Sequence, residues 1–313
     1  MKRKLFLLLL VLFFGWLIGR EWWWRDHGPS VPPIAFVIEG GESVASVADH
    51  LKDEDVIGSP TLFKAYTKLT GRSRRIQVGT FELSEGMNAS SVLAVITDAQ
   101  ANEVTLTFVE GWTLDQMGTY LEERAVVTKA EWSAVATPDL EGYLFPDTYR
   151  FLKGVRAEEI VKRLRDEMNT KITSEMRDEM ERQGRSLHEV LTMASIIERE
   201  VHDDEARGMV SDIFWKRIAI GMALQADSTV NFITKKKDPS ISFADRDIDS
   251  PYNTYQYRGL PPGPISAPSL SAIKTTLYPT SNPYYYFLTD AEGKIYYAKT
   301  LDEHNVNKAN HLR

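Results

Sequence analysis

The sequence predicts an α+β protein, with an N-terminal transmembrane helix, a small module and a larger mixed α+β domain. A basic tip precedes an uncharged apolar run, and helical and strand periodicities share the rest of the chain. A length of 313 residues gives material for about two globular domains. We place the tip and anchor at residues 1–27, a linker and the small module at 28–100, and the larger domain at 101–313.

Composition excludes several classes of site. The formal net charge is −7, which is opposite to the basic footprint of a nucleic-acid-binding protein. The chain has no cysteine, so disulfides, thiolate nucleophiles and cysteine metal sites are excluded. The six histidines are scattered and form no His-x-x-x-His pair, which argues against a histidine-based zinc site. We therefore expect no metal, no other cofactor and no nucleic-acid partner.

The first 25 residues predict a membrane anchor. The basic residues Lys2 to Lys4 precede an uncharged run from Leu5 to Gly19, and Trp22 to Trp24 suit the membrane interface. A cleaved signal peptide is the alternative, but no small-x-small cleavage pattern follows the run. The positive-inside rule places the N-terminus in the cytoplasm and everything after Arg25 outside. We therefore expect a single-pass protein of the cytoplasmic (inner) membrane with its larger domain in the periplasm.

Residues from Ile34 to about Gln100 have the pattern of a small packed unit. Ala35–Glu39 is typical of a strand, Val44 and Leu51 bound an amphipathic helical stripe, and Ser59-Pro60 opens another helix. The stretch from Val37 to Leu51 resembles a LysM module, a type that binds glycans containing N-acetylglucosamine. A small packed domain without a ligand is the alternative that this pattern leaves open.

Strand and helix signals continue through the larger domain. Alternation predicts a strand at Val104–Phe108, and Thr113-x-x-Gln116 has the form of a capping box. The segments Tyr284–Leu288 and Lys294–Tyr297 flank turn residues and predict a hairpin. The aromatic loop Glu141–Tyr149 suits two roles, because aromatic faces stack on sugar rings and also fill a core.

A second capping box, Ser186-x-x-Glu189, predicts the start of a helix with one apolar stripe. The stripe consists of Leu187, Val190, Leu191, Ala194, Ile197 and Val201. Glu198 projects within this stripe and Glu200 at its edge. Desolvation raises the pKa of a carboxyl group near an apolar face, so that it can donate a proton near neutral pH. Spacing alone favours the alternative, in which both glutamates form structural ion pairs with Arg199, Arg207 or Lys216.

Several ordered motifs carry a resemblance to a known family. They are Met193–Glu200, Ile213–Val230, Val109–Gly111, Phe145–Thr148, Tyr252–Tyr255, Gly259–Ile265 and His304–Asn305. Together they resemble the YceG-like family of endolytic murein transglycosylases and cover nearly everything after Ile34. The resemblance implies a bacterial cell-wall enzyme whose catalytic residue is the second glutamate of Ser-Ile-Ile-Glu-x-Glu, Glu200. Burial alone favours Glu198 slightly.

The same resemblance implies a lytic transglycosylase that needs one carboxylate. Glu200 would protonate the oxygen linking N-acetylmuramic acid to N-acetylglucosamine. It would then take the proton of the muramic acid C6 hydroxyl, which closes a 1,6-anhydro ring. This acid-then-base role needs a pKa near the working pH. We expect further residues to bind substrate or to support the acid, namely Glu198, Gln225, Asp227, Thr229, Asn253 and Tyr255.

Side-chain alternation also predicts a strand with a polar row on one face. The row consists of Gln225, Asp227, Thr229 and Asn231. Such a row would hydrogen-bond sugar groups or orient Glu200, and the wet face of an edge strand is the equal alternative.

Two rival functions also fit the sequence. The first is a non-catalytic peptidoglycan-binding scaffold, which requires both glutamates to be ion-paired and exposed. The second is a hydrolytic muramidase that uses Glu200 together with Asp227. The partners that we expect are nascent peptidoglycan glycan strands, the membrane and, as a further candidate, cell-wall synthases.

Overall fold

The computed structural model describes residues 33–98, 103–236 and 241–312. The chain divides into two compact units. Unit 1 comprises Met1–Leu106 with Tyr149–Val155, and unit 2 comprises Thr107–Thr148 with Arg156–Arg313. The predicted anchor lies outside the described residues. Among the described helices, none is both long enough and apolar enough to cross a membrane.

Short two-stranded sheets and packed helices make up unit 1. Its elements are β1 (Ile34–Ile38), α1 (Val44–Asp53), α2 (Pro60–Leu69), β2 (Gly79–Leu83), α3 (Ala89–Thr97), β3 (Glu103–Thr107) and β4 (Thr148–Leu152). The strands β1 and β2 pair antiparallel, with Phe36 opposite Phe81. These two rings pack with Phe63 of α2 in a common apolar core.

Polar caps fix where the helices of unit 1 begin. The Ser59 hydroxyl accepts a hydrogen bond from the backbone N–H of Leu62, and Asn88 accepts one from Ser91. Each cap satisfies an amide that the helix leaves without an internal partner. Proline at the first position of α2 suits the helix start because its missing N–H is not needed there. The predicted helix start at Ser59-Pro60 is therefore confirmed.

Unit 2 is mainly helical, with one hairpin near its C-terminal end. Its elements are α4 (Leu114–Glu123), α5 (Lys129–Val135), a 3₁₀ turn (Pro138–Leu140), α6 (Ala157–Lys171), α7 (Ser174–Gln183), α8 (Leu187–Glu200), α9 (Asp204–Ala219), α10 (Asp227–Thr234), α11 (Phe243–Arg246), α12 (Leu270–Leu277), β5 (Tyr286–Thr289), β6 (Ile295–Ala298) and α13 (Leu301–His311). The hairpin strands β5 and β6 are antiparallel, as predicted. Helices and small sheets in both units confirm the α+β class.

Helix α8 runs through the core of unit 2. Its capping box is present, with Ser186 and Glu189 bonded to each other's backbone N–H. Every residue from Val190 to Glu198 is buried. Val190, Leu191 and Ala194 belong to one apolar cluster, whereas Met193, Ile196 and Ile197 belong to another. A helix that is apolar on several faces is buried, so the single predicted stripe understates how deeply α8 lies.

The predicted strand with a polar row is wrong. Its members were Gln225, Asp227, Thr229 and Asn231, and α10 occupies most of this segment. The Thr254 hydroxyl accepts a hydrogen bond from the backbone N–H of Ala226 at 3.0 Å, and Thr254 and Thr229 hydroxyls lie 2.9 Å apart. These contacts from distant sequence override the strand preference of the β-branched residues. In the helix Asp227 is half-buried, whereas Thr229 is fully buried, so no shared polar face results.

Gly142 permits close contact between the aromatic loop and a proline-rich loop that runs from Pro261 to Pro268. Its φ is +77°, a conformation that side chains with a Cβ rarely adopt. A Cβ placed there would lie 2.3 Å from Cβ of Pro264 and 3.1 Å from the carbonyl oxygen of Ser266. Only glycine fits both the backbone conformation and the available space.

We expect Gly142→Ala to lower the free energy of unfolding by about 2–5 kcal/mol, combining left-handed strain with overpacking. Gly184→Ala is the matched control, because Gly184 has φ +65° and no atom within 4 Å of the added Cβ. The control should lose only about 1–2 kcal/mol, the strain alone. Urea titration measures both values, and equal losses would contradict the close contact with Pro264.

Candidate active site

Glu198 is buried in unit 2 and fully paired. Its Oε1 accepts a hydrogen bond from Nη2 of Arg207 at 2.7 Å, and both side chains are almost inaccessible to solvent. Its Oε2 accepts bonds from the backbone N–H of Ser269 at 2.9 Å and from the Ser269 hydroxyl. Each carboxylate oxygen therefore has charged or hydroxyl donors, which is what a buried charge requires.

Arg207 extends this network to the end of α8. Its Nε donates to the carbonyl oxygen of Val201 at 3.2 Å, and its Nη1 donates to Asp204 at 3.1 Å. Val201 is the residue at which α8 ends. The ion pair therefore fixes the last turn of α8, which also carries Glu200.

Glu200 has a different environment, two residues further along. The residue as a whole is half-buried, and its Oε1 accepts a hydrogen bond from the backbone N–H of Ser228 at 3.2 Å. This N–H belongs to the first turn of α10, where a helix favours a carboxylate. Among the described residues, Glu200 forms no ion pair. Arg199 instead donates to the carbonyl oxygen of Gly111 at 3.0 Å.

Burial raises the pKa of Glu200 above its ordinary value of 4.5. Hydrogen bonding from Ser228 lowers this pKa, the charge of Asp227 raises it, and the charge of Arg199 lowers it, but burial dominates. The raised pKa favours the protonated form of this carboxyl group, and the backbone N–H of Ser228 stabilises the ionised form. This is the property that acid-then-base chemistry needs.

Asp227 and Tyr255 lie beside this carboxyl group. The Tyr255 hydroxyl donates to Oδ1 of Asp227, so the carboxylate has an oriented partner. Burial, that hydrogen bond, and the charges of Asp227 and Glu200 raise the pKa of Tyr255. Tyr255 is therefore a donor and not a base. The guanidinium of Arg246 lies over the Tyr255 ring, 5.0 Å from its centre.

Two loops pack along the C-terminal half of α8. In the proline-rich loop, the backbone N–H of Ile265 donates to the Ser195 hydroxyl at 2.9 Å. Ala267 exchanges backbone hydrogen bonds of 2.8 Å with the turn at Gly111 and Trp112. Three of the sequence motifs therefore meet at the end of the helix that carries both glutamates.

The YceG-like family model matches residues 36–310, which is most of the chain. The chain belongs to the YceG-like family.

The named relatives and a solved structure that resemble this chain are consistent with membership of this family. An endolytic murein transglycosylase of Bacillus subtilis is 31% identical over 331 aligned positions, covering 97% of this chain and 91% of the relative. One of Streptococcus pneumoniae is 27% identical, covering 88% of this chain and 58% of that longer protein. A crystal structure of a putative YceG-like protein from Listeria monocytogenes superposes with a TM-score of 0.61 at 32% identity, covering 88% of this chain and 99% of that chain.

In this YceG-like chain, the residues predicted from the sequence separate into three groups. Glu200, Asp227 and Tyr255 come together around the carboxyl group of Glu200. Thr229 and Asn253 are fully buried: the Thr229 hydroxyl donates to the carbonyl oxygen of Ala226, and the Asn253 amide donates to the carbonyl oxygens of Arg246 and Ile248. Gln225 is exposed and has φ +53°, and its backbone N–H donates to the Thr254 carbonyl oxygen.

The prediction that both glutamates form ion pairs holds for Glu198 with Arg207 only. Lys216 pairs instead with Asp212. Sequence reasoning missed Ser228 as a contact of the acid, although small polar residues at a helix start are a signal for anion binding. It also missed Glu141. Burial raises the pKa of this carboxyl group to about 7, and the carboxyl group accepts a hydrogen bond from the backbone N–H of Leu114 at 3.2 Å.

The two glutamates should differ in their effect on stability. We expect Glu198→Gln to lower the free energy of unfolding by about 3–5 kcal/mol, because it leaves the buried charge of Arg207 without its main counter-charge. Glu200→Gln should not lower it. The measurement is urea titration of both variants and the wild type at pH 7.

The pH dependence supplies the control. Folding raises the pKa of Glu200, so the folded state favours the protonated carboxyl group. Below pH 4.5 the carboxyl group is protonated in both the folded and the unfolded states, so its raised pKa does not destabilise the protein. As the pH rises through the folded pKa, the group must ionise in the buried site, and the free energy of unfolding falls. Glu200→Gln should therefore be more stable than the wild type at high pH and equal to it below pH 4.5. If Glu200→Gln were less stable than the wild type at high pH, the folded protein would stabilise the ionised carboxylate, which contradicts a raised pKa.

Proposed function

We propose that this protein is an endolytic lytic transglycosylase of peptidoglycan. It cleaves the β-1,4 bond between N-acetylmuramic acid and N-acetylglucosamine and leaves 1,6-anhydro-muramic acid ends. The observation that carries the proposal is the carboxyl group of Glu200, which has a raised pKa because of burial and forms no ion pair among the described residues. Membership of a family whose relatives are named endolytic murein transglycosylases supports the same activity.

The reaction needs one proton carrier. Protonated Glu200 gives its proton to the glycosidic oxygen as the bond to the muramic acid C1 breaks. The resulting carboxylate then removes the proton of the muramic acid C6 hydroxyl, whose oxygen bonds to C1. The proton returns to Glu200, no water is consumed, and the N-acetylglucosamine end leaves as an alcohol. The N–H of Ser228 stabilises the carboxylate between the two steps.

Asp227 contributes charge and not a proton. Positive charge develops at C1 in the oxocarbenium-like transition state of glycoside cleavage. A carboxylate oriented by the Tyr255 hydroxyl stabilises that charge. The same negative charge raises the pKa of Glu200 and so favours its acid form.

Location and further partners form part of the proposal. Residues 1–27 would anchor the chain in the cytoplasmic membrane, with unit 2 outside, so that nascent strands and cell-wall synthases lie within reach. The β1–α1–α2–β2 order of unit 1, with its antiparallel strands, supports a LysM-like glycan-binding module. A packed unit without a ligand is the alternative for this module.

A hydrolytic muramidase is the second candidate, because Asp227 lies beside Glu200 and most glycosidases use two carboxylates. The products differ, since a hydrolysed reducing end is one water heavier than an anhydro end. The scaffold alternative requires two exposed, ion-paired glutamates. Glu198 is paired but buried, and Glu200 is half-buried, so this requirement is not met.

Glu200→Gln tests the proposed function. Glutamine keeps the size of the side chain but removes the exchangeable acid proton. General acid–base assistance contributes about 10²–10⁴-fold, and loss of a sole acid/base should reach at least the upper end of that range. We expect near-complete loss of anhydro-ended products, measured by mass spectrometry of digested glycan strands.

Glu205→Gln is the matched control, because Glu205 is an exposed glutamate on the next helix. It should keep full turnover. Substantial anhydro product from Glu200→Gln would move the acid to another residue, and a reducing-end product from the wild type would favour the muramidase.

Asp227→Asn tests the electrostatic role by pH. Removing the negative charge beside Glu200 lowers the pKa of Glu200, because that charge raises it in the wild type. The acid form is then lost at a lower pH, so the alkaline limb of the kcat profile should move to lower pH. Asparagine can still accept the hydrogen bond from Tyr255. An unmoved alkaline limb would show that Asp227 does not act on the acid.

A further inference from the structure

Arg246 lies next to the site and has no assigned role in the reaction. It is the last residue of α11, and its side chain is half-buried. Its guanidinium carbon lies 5.0 Å from the centre of the Tyr255 ring and 5.5 Å from that of Phe243. A guanidinium placed on aromatic faces is attracted by their π electrons, but this contact uses none of its N–H donors.

The guanidinium lacks a polar partner in the part of the chain that the structure describes. Among the described residues it forms neither a hydrogen bond nor an ion pair, and its Nε is buried without an acceptor. The adjacent carboxylate cannot serve, because Asp245 is bonded to Lys236 at 2.6 Å and to the backbone N–H of Ser242 at 2.8 Å. The buried guanidinium groups of unit 2 have polar partners: Arg207 pairs with Glu198, and Arg217 donates to the carbonyl oxygens of Leu224 and Tyr285. The two Nη nitrogens are not among the buried atoms and form no bond with the described residues, so they remain available to an acceptor from outside the chain.

The backbone of Arg246 is held in place on the side of the site. Its carbonyl oxygen accepts hydrogen bonds from the Asn253 amide at 3.0 Å and from the Gln256 amide at 2.8 Å. Both donors flank Tyr255, which in turn donates to Asp227. The cation is therefore fixed relative to the residues around Glu200 before any ligand binds, which reduces the entropy lost on binding.

We propose that Arg246 binds a carboxylate carried by N-acetylmuramic acid, which is the free lactyl carboxylate in a residue without a peptide stem and a carboxylate of the stem in a residue with one. This inference rests on the proposed function, because it assumes a peptidoglycan strand in the site. The sugar rings of such a strand are uncharged. A muramic acid without a stem has a free lactyl carboxylate, whereas in a stem-bearing residue this carboxyl is an amide and the carboxylates lie on the stem. A guanidinium matches a carboxylate with two parallel N–H···O bonds. Arg246 would thus select muramic acid over N-acetylglucosamine beside Tyr255.

Binding measured without turnover tests the proposal. Two full-length proteins are compared, the single variant Glu200→Gln, which should not turn over substrate, and the double variant that also carries Arg246→Gln. Isothermal titration calorimetry measures Kd of each protein for three probes. The probes are short strands with peptide stems, the same strands after amidase removes the stems, and an N-acetylglucosamine oligomer without lactyl arms. We expect Arg246→Gln to raise Kd about tenfold or more for at least one muramic acid probe. Kd for the neutral oligomer should not change.

The first two probes separate the sources of the carboxylate. A loss confined to stem-bearing strands identifies a stem carboxylate, a loss confined to stem-free strands identifies the free lactyl carboxylate, and a loss for both shows that Arg246 accepts either carboxylate. Equal loss for all three probes, or no loss for any, overturns the proposal. Arg163→Gln on α6 is the matched control, because Arg163 is exposed and loses the same charge. It should leave every Kd unchanged.

Two further measurements distinguish a misfolded variant from a wrong role for Arg246, and failure of this proposal from failure of the proposed function. Arg246→Lys keeps the cation on the rings but lacks the guanidinium fork, so it should weaken binding of the same probe even if Arg246→Gln folds poorly. Wild-type digestion of the same strands, read by mass spectrometry, tests the proposed function independently. Absence of anhydro product there refutes the transglycosylase, while the binding data still decide the role of Arg246.

Discussion

The structure of the site depends on the buried ion pair between Glu198 and Arg207. One carboxylate bonds to a cation on α9 and to Ser269, the residue that caps α12. Arg207 also bonds to the carbonyl oxygen of Val201, where α8 ends. The ion pair and its hydrogen bonds therefore connect α8, α9 and α12 and fix the C-terminal end of α8. Its value lies in fixing one arrangement, since burying two charges costs much of what their attraction gains.

Glu200 gains its chemistry from its position relative to this contact. Residues two apart on a helix point in widely different directions, so Glu198 points into the helix packing while Glu200 points towards α10. The Glu198 carboxylate pairs with a cation and accepts hydrogen bonds from Ser269, whereas the Glu200 carboxyl group is buried beside the negative charge of Asp227 and accepts a backbone N–H of Ser228. Identical side chains thus acquire different roles through their surroundings alone.

Local signals in the sequence predicted most elements, because their causes lie within a few residues. The capping box at Ser186, the proline start of α2 and the C-terminal hairpin are of this kind. The error at α10 arose because Thr254, far along the chain, bonds to the start of that helix. The sequence did not predict a role for Arg246 for a similar reason. It stands in a charged run, and only folding brings it onto the ring of Tyr255.

The bond between Ser228 and Glu200 is made by a backbone amide. Any amino acid except proline supplies that donor, so evolution can vary the side chain at position 228 without removing the hydrogen bond to the acid. Comparison of side-chain identities among relatives would therefore undervalue this position. The polarity around the acid is encoded in the path of the main chain, and a designer who transplants this site into another scaffold must reproduce the direction of α10 as well as its residues.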